Sequence, residues 1–392
     1  MPAKLPEEFK LLATCCRWPA SDERDGEIRQ RTRGAFNWNF FLQLAKRHRV
    51  EGLVHEALAH ASVEVPKFID EQLSNRAASI CRENLEQAAE TLRLTSVMES
   101  CGVNCVFLKG VALGQIAYQT LGLKQSWDID LLVEPGQAMI AAAALEEAGY
   151  ERSHATSGLA IDQLESWLLL CKESHWTHRG TGIVVELHTA LVDNSAFLPR
   201  VSARSHKWLI RLGSRRVPTL PKDELFAYLC VHGAVHGWAR LKWLADVAAL
   251  LGTGDAAETE RLYRRSIELG SGRCSEQALL LCSRLLALEL PESLRERLER
   301  DRLTRWLANV ALSAMSKRGA RELDDTIFGT LGINFSHLFL GRGWRYRTRE
   351  LVRKCSNAED RLLLPLPRYL SFLYPALALP LWMWRRFRVR HA

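Results

Sequence analysis

Nothing in the 392 residues reads as a zinc knuckle, a secretion signal or a repeat array. Ten cysteines lie at positions 15, 16, 81, 101, 105, 171, 230, 274, 282 and 355, and no two form a Cys-x-x-Cys pair. Scattered thiols point to a reducing compartment rather than a disulfide framework. The opening Met-Pro-Ala-Lys-Leu-Pro-Glu-Glu has no apolar centre, so no signal peptide is expected and a cytoplasmic protein is. Low-complexity tracts are missing too. The apolar stretch 369–384 falls short of the roughly 17–20 residues a membrane-spanning helix needs, and Pro375 and Pro380 break it. It follows the Arg-rich stretch 341–354 and precedes the basic 385–390. Two readings stay open there: peripheral contact with an anionic membrane, or a helix pair folded back on the protein. The formal net charge of +8 suits phosphate-rich partners and also simple solubility. No interleaved aromatic and basic module marks a nucleic-acid binder.

What is present is an ordinary folded composition, 47% hydrophobic and 25% charged, in a chain long enough for two or three domains. Residues 1–36 are polar and Arg/Asp-rich and read as a partly loose lead-in. Residues 37–100 read as helices, and 68–100 carries apolar residues at helical spacing. Strands and helices then alternate: a strand at 104–108, a helix from Gly110 to Tyr118, an Asp-bearing strand, a Pro135-Gly136 turn and a helix at 137–148. After Pro218-Thr219-Leu220-Pro221 the pattern is helical to about residue 320, with Asp223 as N-cap of a long helix. The expected organisation is a helical region 1–100, a mixed core 101–195, a helical domain 196–340 and a basic, apolar C-terminal region 341–392. The fold class is α+β, a small mixed sheet embedded in helices.

The chemistry concentrates in Phe107-Leu108-Lys109-Gly110 and Ser126-Trp127-Asp128-Ile129-Asp130-Leu131-Leu132-Val133. In a strand, residues two apart share a face. Asp128 and Asp130 therefore project together, while Ile129, Leu131 and Val133 face a core. Two adjacent carboxylates need a cationic neighbour, and a hard divalent ion such as Mg²⁺ fits oxygen ligands and phosphates. Gly182-Ile183-Val184-Val185-Glu186-Leu187-His188 is a second strand, with Val184, Glu186 and His188 on one face. Placed beside the first, it brings Glu186 to Asp128 and Asp130, enough carboxylates for one or two metals. His188 reads as a supporting or packing residue rather than a base.

These elements resemble the uncharacterised nucleotidyltransferase family of bacteria, within the DNA polymerase β-like nucleotidyltransferase superfamily. The resemblance rests on Leu-Lys-Gly, a basic residue four before Asp-Ile-Asp-Leu-Leu-Val, and Val-Glu-Leu-His. It extends to 38–50 and to the stretch His232-Gly233-Ala234-Val235-His236-Gly237-Trp238-Ala239-Arg240-Leu241-Lys242-Trp243-Leu244-Ala245-Asp246. It implies a nucleotidyltransferase core in which Asp128, Asp130 and Glu186 are the catalytic metal ligands. Lys109, Gly110 and Ser126 are implied as the phosphate-facing loop, with Lys109-Gly110 standing where the superfamily has Gly-Ser. The family's usual Arg before the Asp pair is Lys124 here, which keeps the charge and loses the bidentate fork. The implied cofactors are Mg²⁺ or Mn²⁺, with an NTP, ATP foremost, as co-substrate. Members often neighbour genes for modified peptides or surface polysaccharides, so the implied acceptor is a peptide, protein or small molecule, not nucleic acid.

The later helical stretch puts His232, His236, Trp243 and Asp246 near one helix face at 100° per residue. His-x-x-x-His could bind zinc, although Gly233 stands where His-Glu-x-x-His proteases carry Glu. The other reading is that this face packs on the core or lends His232, His236, Arg240 or Lys242 to a nucleotide or acceptor pocket. Gly233 and Gly237, each costing about 1 kcal/mol inside a helix, imply a close approach by a neighbour. The same carboxylates would serve attack at the γ-phosphorus, making a kinase, and a non-catalytic nucleotide-sensing scaffold is the remaining class.

Overall fold

The computed structural model describes residues 5–34, 36–252, 254–316, 327–354 and scattered positions from 364 to 384. Seven of the sixteen positions of the apolar run 369–384, and all of the basic 385–390, lie outside the described residues. Among the described residues no helix is long and apolar enough to cross a membrane.

Among the described residues, seven strands form two sheets: β1 (Cys105–Phe107), β2 (Asp128–Val133), β3 (Tyr150–Ser153), β4 (Glu173–His178) and β5 (Val184–His188) in one, β6 (Trp208–Leu212) and β7 (Arg215–Thr219) in the other. The larger sheet runs β1-β2-β5-β4-β3. It is mixed: β2 and β5 are parallel, and the remaining neighbours are antiparallel. The expected α+β class, a small mixed sheet within helices, is what the chain adopts.

The period-two pattern separates the faces of this sheet. Cys105, Phe107, Ile129, Leu131, Val133, Trp176, Val185 and Leu187 point to one side, where they are buried in a core with Leu94, Met98, Ala141 and Leu145. Those last four belong to the 34-residue helix Lys67–Ser100 and the helix Ala138–Glu147. The polar alternates, Asp128, Asp130, Glu186, His188, Glu173 and His175, point the other way. That side meets a second, larger cluster with contributions from residue 9 to residue 346.

Three expectations change. The lead-in is not loose: Glu7–Cys15 and Asp22–Arg31 are helices, and Phe9, Leu11, Leu12, Cys15 and Ile28 are buried. A polar helix of that kind is held by its few inward residues, which the average composition conceals. The segment Gly110–Tyr118 is a four-residue α-turn, Gly110–Leu113, running into a π-turn, Gly114–Tyr118. The long helix expected after Pro221 is two. Lys222–Val235 ends where Gly237 (φ 61°) and Trp238 (φ 50°) turn left-handed, and Leu241–Leu251 begins anew. Helix Lys222–Val235 is preceded by Pro221 at the N-cap position, with Asp223 inside its first turn. The Trp238 N–H donates to the Gly233 carbonyl at 2.8 Å, a bond that wraps the indole back over the helix end. A Cβ on Gly233 would lie 2.3 Å from Trp238. The close approach inferred from Gly233 is therefore the helix's own return, and Ile333 approaches Gly237 in the same way at 3.0 Å.

Candidate active site

The register of the parallel pair builds the centre. Asp130 of β2 stands beside Glu186 of β5, Asp128 beside Val184, and Leu132 beside His188. Glu186 in turn stands beside His175 of β4, and His188 beside Glu173. Three strands thus present their polar alternates to one patch.

Lys109 brings the loop after β1 into the patch, and its Nζ lies 2.8 Å from Asp130 Oδ1. The same oxygen is 3.2 Å from His188 Nε2, which is 3.3 Å from Glu186 Oε2. His175 Nε2 lies 3.5 Å from Glu186 Oε1. Asp130 Oδ2 is buried with no hydrogen-bond partner among the described residues, as are Ser126 Oγ and His188 Nδ1. Gly110 adopts φ 60°, and a Cβ there would sit 3.3 Å from the Asp128 carbonyl oxygen, so the loop closes tightly over the start of β2.

The electrostatics follow from crowding. Burial pushes Asp128 up to about 6, with the neighbouring Asp130 carboxylate adding to it. Burial also works against ionised Asp130, but Lys109 and His188 outweigh it and hold that carboxyl below its usual range. Glu186 likewise overcomes burial through His175 and His188 and sits far below the carboxylate range. It therefore stays ionised and is a weak base. An acid pair split in this way is what two close carboxylates give when only one has its cation.

The stretch before β2 is held from behind. Asn84 on helix Lys67–Ser100 donates to the Leu121 and Lys124 carbonyls, 2.6 Å each, and Gln87 donates to the Ser126 carbonyl at 3.3 Å. On the other side Gly52 packs so close that a Cβ would lie 2.5 Å from the Leu123 oxygen. Lys124, thus anchored, lies 3.7 Å from buried Asp246, which also accepts from Tyr118 Oη at 3.1 Å. Lys242 joins this group. Burial first, then Lys124 and Arg49, push its ammonium down to about 7. The cations Lys124, Lys242 and Arg49 are crowded at the Asp128 end of the patch, an arrangement that favours an incoming polyanion. Arg49 also lies over the exposed Trp127 ring at 4.1 Å.

The other sequence-derived residues divide. His232 and His236 form an aromatic cluster with Trp243, the two imidazoles 4.5 Å apart and His236 stacked on Trp243 at 5.1 Å. Both lie within the field of Lys109, so the cluster borders the centre. Neither joins a group of metal-type donors among the described residues. Arg240 stands just before helix Leu241–Leu251, beside His48. His188 is drawn into the acid cluster, where the sequence suggested only support or packing. Glu173, His175 and Tyr228 were missed. Tyr228 is fully buried in the field of Lys109 and the three acids. The Glu173-x-His175-x-Thr177 alternation was the one available signal, and it is too polar to announce a strand.

Residues 34–287 match the family described as uncharacterised nucleotidyltransferase. That span covers well over half of the chain and every site residue named above. The chain belongs to the uncharacterised nucleotidyltransferase family. It is accordingly a transferase enzyme, with nucleotidyl transfer as its general role. No curated protein matches it.

Proposed function

We propose that this nucleotidyltransferase moves a nucleotidyl group from an NTP, ATP foremost, to a hydroxyl on a peptide, protein or small molecule, with Mg²⁺ or Mn²⁺ as cofactor. The observation that carries the reading is the Asp130–Glu186 register, with Asp128 on the same face and Lys109 at 2.8 Å from Asp130. The residues suit a hard cation. Asp130 Oδ2 is a buried oxygen with no hydrogen-bond partner among the described residues, and Ser126 Oγ beside the tight Gly110 turn is another. Asp128, Asp130 and Glu186 would hold the metal, whose contribution is to neutralise charge at the phosphate oxygens.

The chain's own groups do the rest. Lys109, Lys124 and Lys242 draw the triphosphate to the Asp128 end and stabilise charge that develops on it. Gly110 lets the backbone approach without a side chain, and the Ser126 hydroxyl offers a donor there. Glu186, ionised throughout the physiological range, orients rather than removes protons. His232, His236 and Trp243 border the acceptor side. The four-region organisation 1–100, 101–195, 196–340 and 341–392 belongs to this same reading.

The test is incubation with Mg²⁺ and ATP labelled at the α or the γ phosphate, with cell lysate as acceptor source. Transfer of α label that disappears in the Asp128→Asn/Asp130→Asn double variant is expected. Transfer of γ label alone would replace this reading with a kinase. Absence of variant-sensitive transfer with all four NTPs would leave a non-catalytic scaffold.

A further inference from the structure

An open pocket of about 380 Å³ lies at the start of β2, between helix Lys67–Ser100 and the turn that leads into β5. That volume falls within the roughly 300–1,000 Å³ of small-molecule sites. Trp127, next to Asp128, is one wall. It is 55% exposed, so burial does not account for an indole here. Yet the ring is held. Arg49 lies over it at 4.1 Å. The Gln125 side-chain oxygen, with the amide in the orientation its donors require, accepts from the indole N–H at 2.5 Å and from Arg76. An exposed indole fixed on its edge and on one face is a preorganised stacking surface.

Two buried atoms of residues lining this pocket have no hydrogen-bond partner among the described residues, Gln87 Oε1 and Ser126 Oγ. Both residues are more than nine-tenths buried. The Gln87 amide nitrogen is already committed to the Ser126 carbonyl at 3.3 Å, so what Gln87 offers the pocket is an acceptor. Leaving a buried acceptor unpaired is costly, and a ligand N–H would satisfy it. The charges point the same way. One lining cation, Arg76, faces two carboxylates, Glu83 and Glu86, and is paired with Glu83 at 2.7 Å. Such a lining disfavours phosphate, which Lys109, Lys124 and Lys242 attract instead, and it suits an uncharged ring carrying N–H donors. The two regions join at Ser126, whose Oγ lies 3.9 Å from where a Cβ on Gly110 would stand.

We infer that this pocket takes the nucleobase of the NTP, stacked on Trp127, and that Gln87 Oε1 accepts from its exocyclic amine, favouring adenine or cytosine over uracil. The inference deepens the nucleotidyl-transfer reading and rests on it for the ligand being an NTP. Trp127 and Gln87 are specificity residues in this arrangement. They act on the base, while the lysines and the acids act on the phosphates. Hypoxanthine carries a carbonyl where adenine has its amine, so it sets an acceptor against the Gln87 acceptor.

The test uses full-length protein with Mg²⁺ and calorimetric titration of ATP, ITP and inorganic tripolyphosphate. Wild type should bind ATP about 3–10-fold more tightly than ITP. Trp127→Ala should weaken ATP about 10–100-fold and leave tripolyphosphate unchanged, which also shows that the variant is folded. Trp127→Phe, which returns a ring, should recover most of the ATP affinity. Gln87→Met should remove the difference between ATP and ITP. Equal affinity of wild type for ATP and ITP overturns the inference, as does a difference that survives Gln87→Met. A Trp127→Ala variant that binds ATP like wild type, or loses tripolyphosphate as much as ATP, overturns it too. If wild type transfers no α label yet binds ATP in a Trp127-dependent way, the transfer reading falls and the base pocket stands.

Discussion

Replacing Lys109 with Met removes the ammonium 2.8 Å from Asp130 Oδ1 and keeps most of the side-chain volume. At an effective dielectric near 20, that pair is worth about 6 kcal/mol of gross attraction. Part of this is offset by the burial cost of the lysine itself, and His188 remains 3.2 Å from the same oxygen. The net cost of stripping one partner from a buried pair is about 3–5 kcal/mol. Lys109→Met should therefore lower stability in urea by that amount when EDTA is present. A divalent cation at Asp130 would replace the missing charge. Saturating Mg²⁺, near 100 times its dissociation constant, should then return roughly 2–3 kcal/mol, and more to the variant than to wild type. A deficit under about 1 kcal/mol in EDTA would show that Asp130 does not depend on Lys109. Equal stabilisation of both proteins by Mg²⁺ would show that ion and ammonium do not share the carboxylate.

Three further outcomes are expected. Gly233→Ala gains about 1 kcal/mol of helix propensity but drives a methyl to 2.3 Å from the buried Trp238 ring. Overpacking costs about 1–3 kcal/mol or more, so the denaturation midpoint should fall, and a rise would contradict the Trp238 packing. Asn84→Ala leaves the Leu121 and Lys124 carbonyls without their donor. It should cost about 2–3 kcal/mol and weaken ATP binding through Lys124, and an unchanged ATP dissociation constant would detach Lys124 from the nucleotide. His48 is fully buried and accepts the Leu241 N–H at 3.0 Å, and burial, with Arg47 adding to it, pushes it down from 6.5 to about 3. Between those values the unfolded chain holds the extra proton. Stability should therefore fall as pH drops through 6.5, with the loss complete near 3 and on the order of 5 kcal/mol. His48→Gln should flatten that part of a urea-denaturation series against pH, and an unaltered slope would rule His48 out as its source.

Local periodicity was enough to find much of the centre. Alternation alone put Asp128 with Asp130 and Glu186 with His188, because a strand has no other way to orient consecutive side chains. The two costly glycines announced a close approach at Gly233 and Gly237. Other features hid for identifiable reasons. β4 carries Glu, Ser, His, Trp, Thr and His, whose inward alternates are mostly polar, so no apolar beat marks it. The helix Asp22–Arg31 buries only Arg24, Asp25 and Ile28, too little to stand out from its charged majority.

Strand direction and face were thus properties of short segments, readable one residue at a time. Which strand lies beside which was not. The parallel pairing of β2 with β5 spans 56 residues from Asp130 to Glu186, and it is decided by how β3 and β4 fold out to the sheet edge and by what both faces bury. That pairing alone sets Glu186 opposite Asp130 rather than one register away. It also brings in Glu173 and His175, and lets Lys109, Lys124 and Lys242 converge from three separate segments. Period two states the face of a side chain, and only the packed tertiary structure states its neighbours, because contact between distant segments depends on the whole core they close around.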